Sequence, residues 1–109
     1  MAEMTLRETC KNLNISRRAL QGYEKAKLVS PSNKTKSGHL LYDDLTRSRI
    51  SLIKCYQEMG FSLNEIKEII DAPDEIKRPA LIQRKEKLNE KIIHDNKMIA
   101  IIQDMLDRM

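Results

Sequence analysis

Arg17, Arg18 and Gln21 lie within five residues of one another and carry side chains that each donate several hydrogen bonds. Because residues three and four positions apart are neighbours on a helix, the three share one helical face. Guanidinium and amide groups donate to phosphate oxygens and to the edges of bases. The spacing predicts a helical face that contacts DNA, and the alternative is an ordinary basic face exposed to solvent.

Lys34 and Lys36 lie near the tip of a second polar segment, which begins at Val29. The turn formers of this segment are Pro31, Asn33 and Gly38, and the hydroxyl residues beside the lysines are Ser32, Thr35 and Ser37. This composition predicts a small β wing, two short extended pieces joined by a turn, whose side chains donate to phosphates. The predicted DNA contacts here are Lys34, Lys36, His39 and Tyr42. The alternative is a flexible polar loop.

The segment Thr5–Glu24 is predicted to fold as a helix-turn-helix that positions Arg17, Arg18 and Gln21. Thr5 and Glu8 have the spacing of a capping box, Asn14 tolerates a left-handed turn, and Ser16 is a good N-cap for the second helix. The apolar side of that helix is formed by Ala19, Leu20 and Tyr23 with Ile15 before the cap. In this motif the second helix lies in the major groove.

Two further helices are expected after the wing. Asp43 or Asp44 caps the first of them, which ends at Met59-Gly60. Ser62 and Glu65 form a second capping box, so another helix is expected from Leu63 to about Asp71.

In the last third of the chain a short turn of helix is possible after Asp74. One long helix is then predicted, with Pro79 at its first position and no Gly or Pro afterwards. Thirty helical residues would span ~45 Å, which is more than a small domain needs. A heptad seam runs along it, and its predicted dimer contacts are Leu81, Leu88, Ile92, Ile99, Ile102 and Leu106. Asp95 interrupts the seam and is expected to set its register or its choice of partner. The sequence thus divides into a winged helix-turn-helix domain, residues 1–72, and a coiled-coil dimerisation helix, residues 73–109.

Charge and composition favour a mostly helical DNA-binding protein. Residues 1–40 contain eight Lys or Arg and three Glu, a net charge of +5 against +4 for the whole chain. Aromatic residues make up only 4% of the chain, and Leu, Ile and Met supply most of its apolar bulk. No acid-base pair, nucleophile motif or phosphate loop is present, so an enzyme is not expected.

The two cysteines, Cys10 and Cys55, lack the spacing of a disulfide framework or a zinc site. No metal and no other cofactor is therefore expected. The N-terminal segment has no apolar signal core, and no run approaches the ~18 apolar residues of a membrane span. These features predict a protein of the reducing cytoplasm that does not enter a membrane.

The order of these elements resembles the MerR family of bacterial transcription regulators over nearly the whole chain. The most similar stretches are Ile15–Leu20 with Tyr23-Glu24, the wing with Gly38 and Tyr42, and Met59–Ile66. The resemblance implies that Arg17 and Arg18 contact the major groove and its phosphates, and that Tyr23 reaches the DNA backbone or braces the helix. It also implies a homodimer on a near-palindromic promoter site, which bends and untwists the promoter spacer for RNA polymerase.

This chain departs from the family pattern at several positions. Gln21 and Gly22 replace arginine and tyrosine, His39-Leu40 replaces Tyr-Arg in the wing, and Arg47 stands at an apolar position. We therefore expect DNA binding with a different set of phosphate contacts, and no effector domain or effector pocket. Cys55 occupies a position similar to that of a thiol-sensing subset of the family, with Lys54 beside it; the alternative is an inert, partly buried cysteine.

Two other functions fit the same pattern. One is an architectural accessory factor of a mobile element, which would bend DNA without activating a promoter. The other is a coiled-coil adaptor whose winged domain binds protein instead of DNA.

Overall fold

The computed structural model describes residues 3–109, which form helices and one small sheet. The elements are β1 Met4–Thr5, α1 Leu6–Leu13, α2 Arg17–Lys25, β2 Asn33–Lys34, β3 Leu40–Tyr42, α3 Asp44–Glu58, α4 Leu63–Ile69 and α5 Asp74–Asp107. The chain divides into two compact units, of which the first ends at Asp71 and the second is Ala72–Met109. The mostly helical class with a small wing is as the sequence predicts.

Local capping determines where the helices of the first unit begin. Thr5 with Glu8 and Ser62 with Glu65 each form a complete capping box. Asn14 adopts a left-handed conformation, with φ of 51°, between α1 and α2. These predictions are confirmed, and each rests on residues no more than three positions apart.

The sheet contains a strand that was not expected from the sequence. β1 pairs antiparallel with β3, which also pairs with β2, so β3 is the central strand. β1 is only two residues long and ends at the N-cap of α1. Such a short strand has no alternating pattern, and its partner Tyr42 lies 38 positions after Met4 in the sequence.

The core of the first unit lies between its helices and the wing. Its buried apolar residues are Leu20, Tyr23, Leu28, Tyr42, Ile50, Ile53, Tyr56, Phe61, Ile66, Ile69 and Ile70. On α1, Cys10 is only half-buried, whereas its neighbour Thr9 is fully buried. A threonine has the volume of valine, so its methyl group can pack in this position.

Replacing Thr9 with valine is expected to raise the free energy of unfolding by ~1 kcal/mol. The Thr9 hydroxyl is buried and has no hydrogen-bond partner among residues 3–109, and an unpaired buried hydroxyl costs about that much. The matched control is Thr5→Val, which removes the capping hydroxyl and should lower stability by ~1 kcal/mol. Urea denaturation measures both, and a loss of stability in both variants would contradict this reading.

The long helix begins earlier than the sequence predicts. α5 starts at Asp74 with Pro73 as its N-cap, and Pro79 lies inside the helix. The prediction that Pro79 is the first helical residue was therefore wrong. Pro79 removes a single backbone hydrogen bond, to the carbonyl of Glu75, and the helix continues through that position.

Candidate nucleic-acid interface

The predicted recognition face lies on α2. Arg17, Arg18 and Gln21 are exposed, whereas Leu20 and Tyr23 on the opposite side are buried. Ser16 caps the helix by accepting a hydrogen bond of 3.0 Å from the Ala19 amide. The helix thus begins immediately before the two arginines, and its positive N-terminal dipole adds to their charge.

The wing turn lies beside the start of this helix. Arg17 of α2 and Gly38, His39 and Leu40 of the wing line the same open depression of about 410 Å³. The structure therefore brings together two groups of predicted contacts that are about twenty residues apart in the chain.

Hydrogen bonds within the wing hold its turn in shape. The Thr35 amide donates to the His39 carbonyl at 2.8 Å, and the Gly38 amide donates to the Thr35 carbonyl at 3.0 Å. Gly38 has a φ of 93°, which favours glycine. Lys34 and Lys36 are exposed around this turn, so two cationic side chains are presented by a well-defined hairpin.

Tyr23 and Tyr42 are buried rather than exposed. The Tyr23 hydroxyl donates to Gln57 Oε1 at 2.6 Å, and the Tyr42 hydroxyl donates to Glu24 Oε2 at 2.5 Å. Burial raises the pKa of both hydroxyls above the usual value for tyrosine. Both side chains are directed into the protein, so their positions do not fit the DNA contacts predicted for Tyr23 and Tyr42, and Tyr23 fits the alternative of bracing the helix.

Two side chains of α3 bind residues of other elements, and neither role was expected from the sequence. Arg49 donates from Nε to the Leu28 carbonyl at 2.6 Å and binds both carboxylate oxygens of Asp71 at 2.8 and 2.9 Å. The Asp71 carboxylate raises the pKa of Arg49.

Lys54 Nζ caps the end of α1 by donating to the Leu13 and Asn14 carbonyls. No local pattern could reveal these partners, because they lie 21 to 41 positions away.

Cys55 is exposed on α3, so the alternative of a partly buried cysteine was wrong. Its neighbour Lys54 is bound to the two carbonyls at the end of α1. Its ammonium group is therefore held by α1, and the geometry adds nothing to the idea that it activates the thiol.

We expect Cys55 to react with a maleimide faster than Cys10. Cys55 is exposed, whereas burial raises the pKa of the half-buried Cys10 thiol and lowers its thiolate fraction at neutral pH. Mass spectrometry of the intact and digested protein measures the two rates, and denatured protein serves as the control in which the rates converge. Faster labelling of Cys10 in the native protein would contradict the structure.

The predicted dimer seam is exposed along α5. None of the 34 residues of this helix is buried, and Leu88, Ile92, Ile99, Ile102 and Leu106 are all exposed, while Leu81 is intermediate. A row of exposed aliphatic side chains at heptad spacing on a long helix is the surface that a second helix covers in a coiled coil.

Residues 3–109 contain no group of three or more His, Cys, Asp or Glu side chains arranged to hold a metal ion. Among the same residues, no helix is both long and apolar enough to cross a membrane.

The fold and the exposed basic face define a winged helix-turn-helix protein of the DNA-binding class. Residues 4–73 match the family of MerR HTH family regulatory proteins, and residues 47–109 match the family described as MerR, DNA binding. The chain belongs to the MerR family of DNA-binding transcription regulators.

Known relatives agree with this assignment. The chain is 38% identical over 88 residues to the HTH-type transcriptional activator mta of Bacillus subtilis, covering 81% of this chain and 34% of mta. It is thus similar to about a third of the length of that relative. A MerR family transcriptional regulator from Bacillus cereus superposes with a TM-score of 0.84 at 26% identity, covering 98% of this chain and 82% of the other. MtaN, the N-terminal part of the Bacillus subtilis multidrug transporter activator, gives a TM-score of 0.75 at 33% identity, covering 94% and 97%.

Proposed function

We propose that this protein is a sequence-specific transcription regulator that binds a near-palindromic promoter site as a homodimer and bends and untwists the DNA. The observation that carries the proposal is the shared surface of α2 and the wing, where Arg17 lies beside Gly38 and His39. Exposed Arg18, Lys34 and Lys36 add charge near these two elements. A recognition helix with an adjacent basic wing is suited to contact a groove and the phosphates on its flank.

The homodimer is supported by the heptad seam of α5. Its exposed aliphatic residues require cover, and a second copy of the chain supplies an identical helix. Two recognition helices related by a twofold axis would contact two half-sites, which accounts for a near-palindromic target.

Distortion of the promoter and cooperation with RNA polymerase are proposed from family membership. Gln21, Gly22 and His39 stand where the family pattern has arginine or tyrosine, so we propose that Arg17, Arg18, Lys34 and Lys36 carry most of the phosphate contacts. The cytoplasmic location and the absence of a cofactor remain predictions from the sequence.

An architectural DNA-bending factor is the second candidate, because it would use the same basic surface without activating a promoter. The named relatives are transcriptional regulators, which favours regulation over an architectural, adaptor or enzymatic role.

Duplex binding measured across a salt series tests the proposal. If the α2 and wing residues neutralise phosphates, the logarithm of the binding constant falls linearly with the logarithm of the salt concentration. Absence of duplex binding at micromolar protein, or binding that does not weaken with salt, would leave only the adaptor function.

A further inference from the structure

We propose that Glu24, Tyr42 and Arg47 are positioning residues that hold the wing at a set distance from the recognition helix, so that both meet the same stretch of DNA. This inference rests on the proposed function and assigns a role to residues that do not themselves touch DNA. We call these three residues the wing anchor.

Tyr42 is held at two points by two different helices. Its side chain is completely buried, and its hydroxyl donates to Glu24 Oε2 of α2 at 2.5 Å. Its backbone carbonyl accepts a hydrogen bond of 2.6 Å from Arg47 Nη1 of α3. Arg47 also binds the carboxylate of Asp44, which orients the guanidinium group toward the carbonyl. The last residue of β3 is therefore joined to α2 through its side chain and to α3 through its backbone.

Movement of β3 would displace the whole wing. β3 is the central strand, and its pairing with β2 sets Lys34 opposite Leu40. The turn that carries Lys36 and His39 lies directly beyond this pair. A shift at Tyr42 would therefore move the wing lysines relative to Arg17 of α2, whereas the hydrogen bonds inside the turn would stay intact.

The wing anchor contains a carboxylate and a buried guanidinium group, and each would be unfavourable at its position without the contacts that it makes. Glu24 lies seven positions after Arg17, about two turns further along α2 and therefore on the same side of the helix. A carboxylate there opposes the approach of phosphates. The Arg47 side chain is only 12% exposed, at a position where the family pattern has an apolar residue. Burial of a guanidinium group is costly unless hydrogen bonds compensate it. The bonds to Tyr42 and Asp44 provide that compensation and give a structural reason for this departure.

Two arginines of α3 form a matched pair for testing this inference. Arg47 and Arg49 each donate a 2.6 Å hydrogen bond to a backbone carbonyl and each bind an aspartate. Arg47 binds the wing, whereas Arg49 binds the carbonyl of Leu28. Replacing either one with methionine removes the same charge and the same kind of contact, but only Arg47→Met releases the wing.

The experiment uses the full chain and one duplex, selected from random DNA by the wild-type protein. Kd is measured across a salt series, and hydroxyl-radical footprints are compared with that of a Lys34→Ala, Lys36→Ala double variant, which defines the protection due to the wing. Tyr42→Phe keeps the buried ring and removes only the hydroxyl. Thermal unfolding of each variant monitors folding.

We expect Tyr42→Phe and Arg47→Met to weaken binding about 5- to 20-fold. We call the slope of the logarithm of the binding constant against the logarithm of the salt concentration the salt slope. Its magnitude is expected to fall by about one to two, since it is close to one per neutralised phosphate. Both variants should lose the protection that the double lysine variant loses. Arg49→Met should keep the wild-type slope and footprint even where its unfolding temperature falls as much as that of Arg47→Met. Glu24→Ala should behave like Tyr42→Phe, and Glu24→Gln, which retains an acceptor oxygen, should restore the wing footprint.

A wild-type slope and footprint in both Tyr42→Phe and Arg47→Met would overturn the wing anchor while leaving the proposed function intact. An equal loss of salt slope in Arg49→Met would also overturn it. The loss would then be caused by reduced stability or by the removed charge, and not by release of the wing. Failure of the wild-type chain to bind any duplex would instead overturn the proposed function, and the wing anchor with it.

Discussion

Replacing Ile99 with aspartate is expected to convert the proposed homodimer to a monomer and to weaken binding to a two-half-site duplex by about 10²- to 10⁴-fold. Ile99 is 63% exposed in the isolated chain and lies at the centre of the heptad seam. A carboxylate at this position would have to lose its hydration when the second helix covers it, which is unfavourable without a partner charge. A monomer would also lose the gain in affinity that comes from engaging two half-sites at once.

Sedimentation equilibrium measures the change in mass, and Lys97→Asp is the matched control. Lys97 lies on the face of α5 opposite the seam by heptad position, and its replacement changes the charge by more than Ile99→Asp does. The control should remain dimeric. A dimeric Ile99→Asp variant, or dissociation by both substitutions, would show that the seam is not the dimer contact.

Replacing Arg17 with alanine is expected to cost ~1–3 kcal/mol in binding to the selected duplex, with a smaller loss on random duplex. Arg17 is exposed at the first turn of α2 and lines the same depression as the wing turn. If it pairs with a base, its loss should reduce the ratio of specific to non-specific affinity. The two Kd values measured at one salt concentration give this ratio.

Lys36→Ala provides the comparison, because we propose that this exposed lysine of the wing turn contacts phosphates without reading sequence. It should weaken both duplexes about equally and reduce the salt slope by about one. Equal losses on both duplexes for Arg17→Ala would assign Arg17 to the phosphates and remove it from the recognition of bases.

The parts of this fold that could be predicted are those determined by neighbouring residues. The two capping boxes, the left-handed Asn14 and the N-cap Ser16 each depend on residues within one turn of a helix. The order of helices and wing follows from these signals, and so does the placement of Arg17, Arg18 and Gln21 on one exposed face. Helix capping and apolar periodicity are local properties that a single sequence records.

The parts that could not be predicted depend on contacts between distant residues. β1 exists because Met4 and Thr5 pair with β3, and neither residue has a strand pattern of its own. Tyr42 was predicted to contact DNA because it belongs to the predicted wing, but its burial depends on α2 and α3, which the sequence does not place in space. The wing anchor is of the same kind: Glu24 and Tyr42 are 18 positions apart.

Pro79 shows a different limit of local rules. Proline is most common in the first turn of a helix, so the sequence favoured a helix that begins there. The helix begins instead at Asp74, with Pro73 as its N-cap. Pro73 is as well suited as Pro79 to end the segment that precedes the helix. Because a single missing hydrogen bond does not stop a helix of 34 residues, the extent of α5 could not be read from Pro79 alone.

Selection of bound sequences from a random duplex pool, followed by footprinting of the enriched site, tests the central claim most directly. A homodimer with one recognition helix per subunit should enrich a near-palindrome, protect two half-sites and leave a central segment that is hyperreactive because it is bent and untwisted. Enrichment of a single unpaired half-site, or of no sequence at all, would contradict the account.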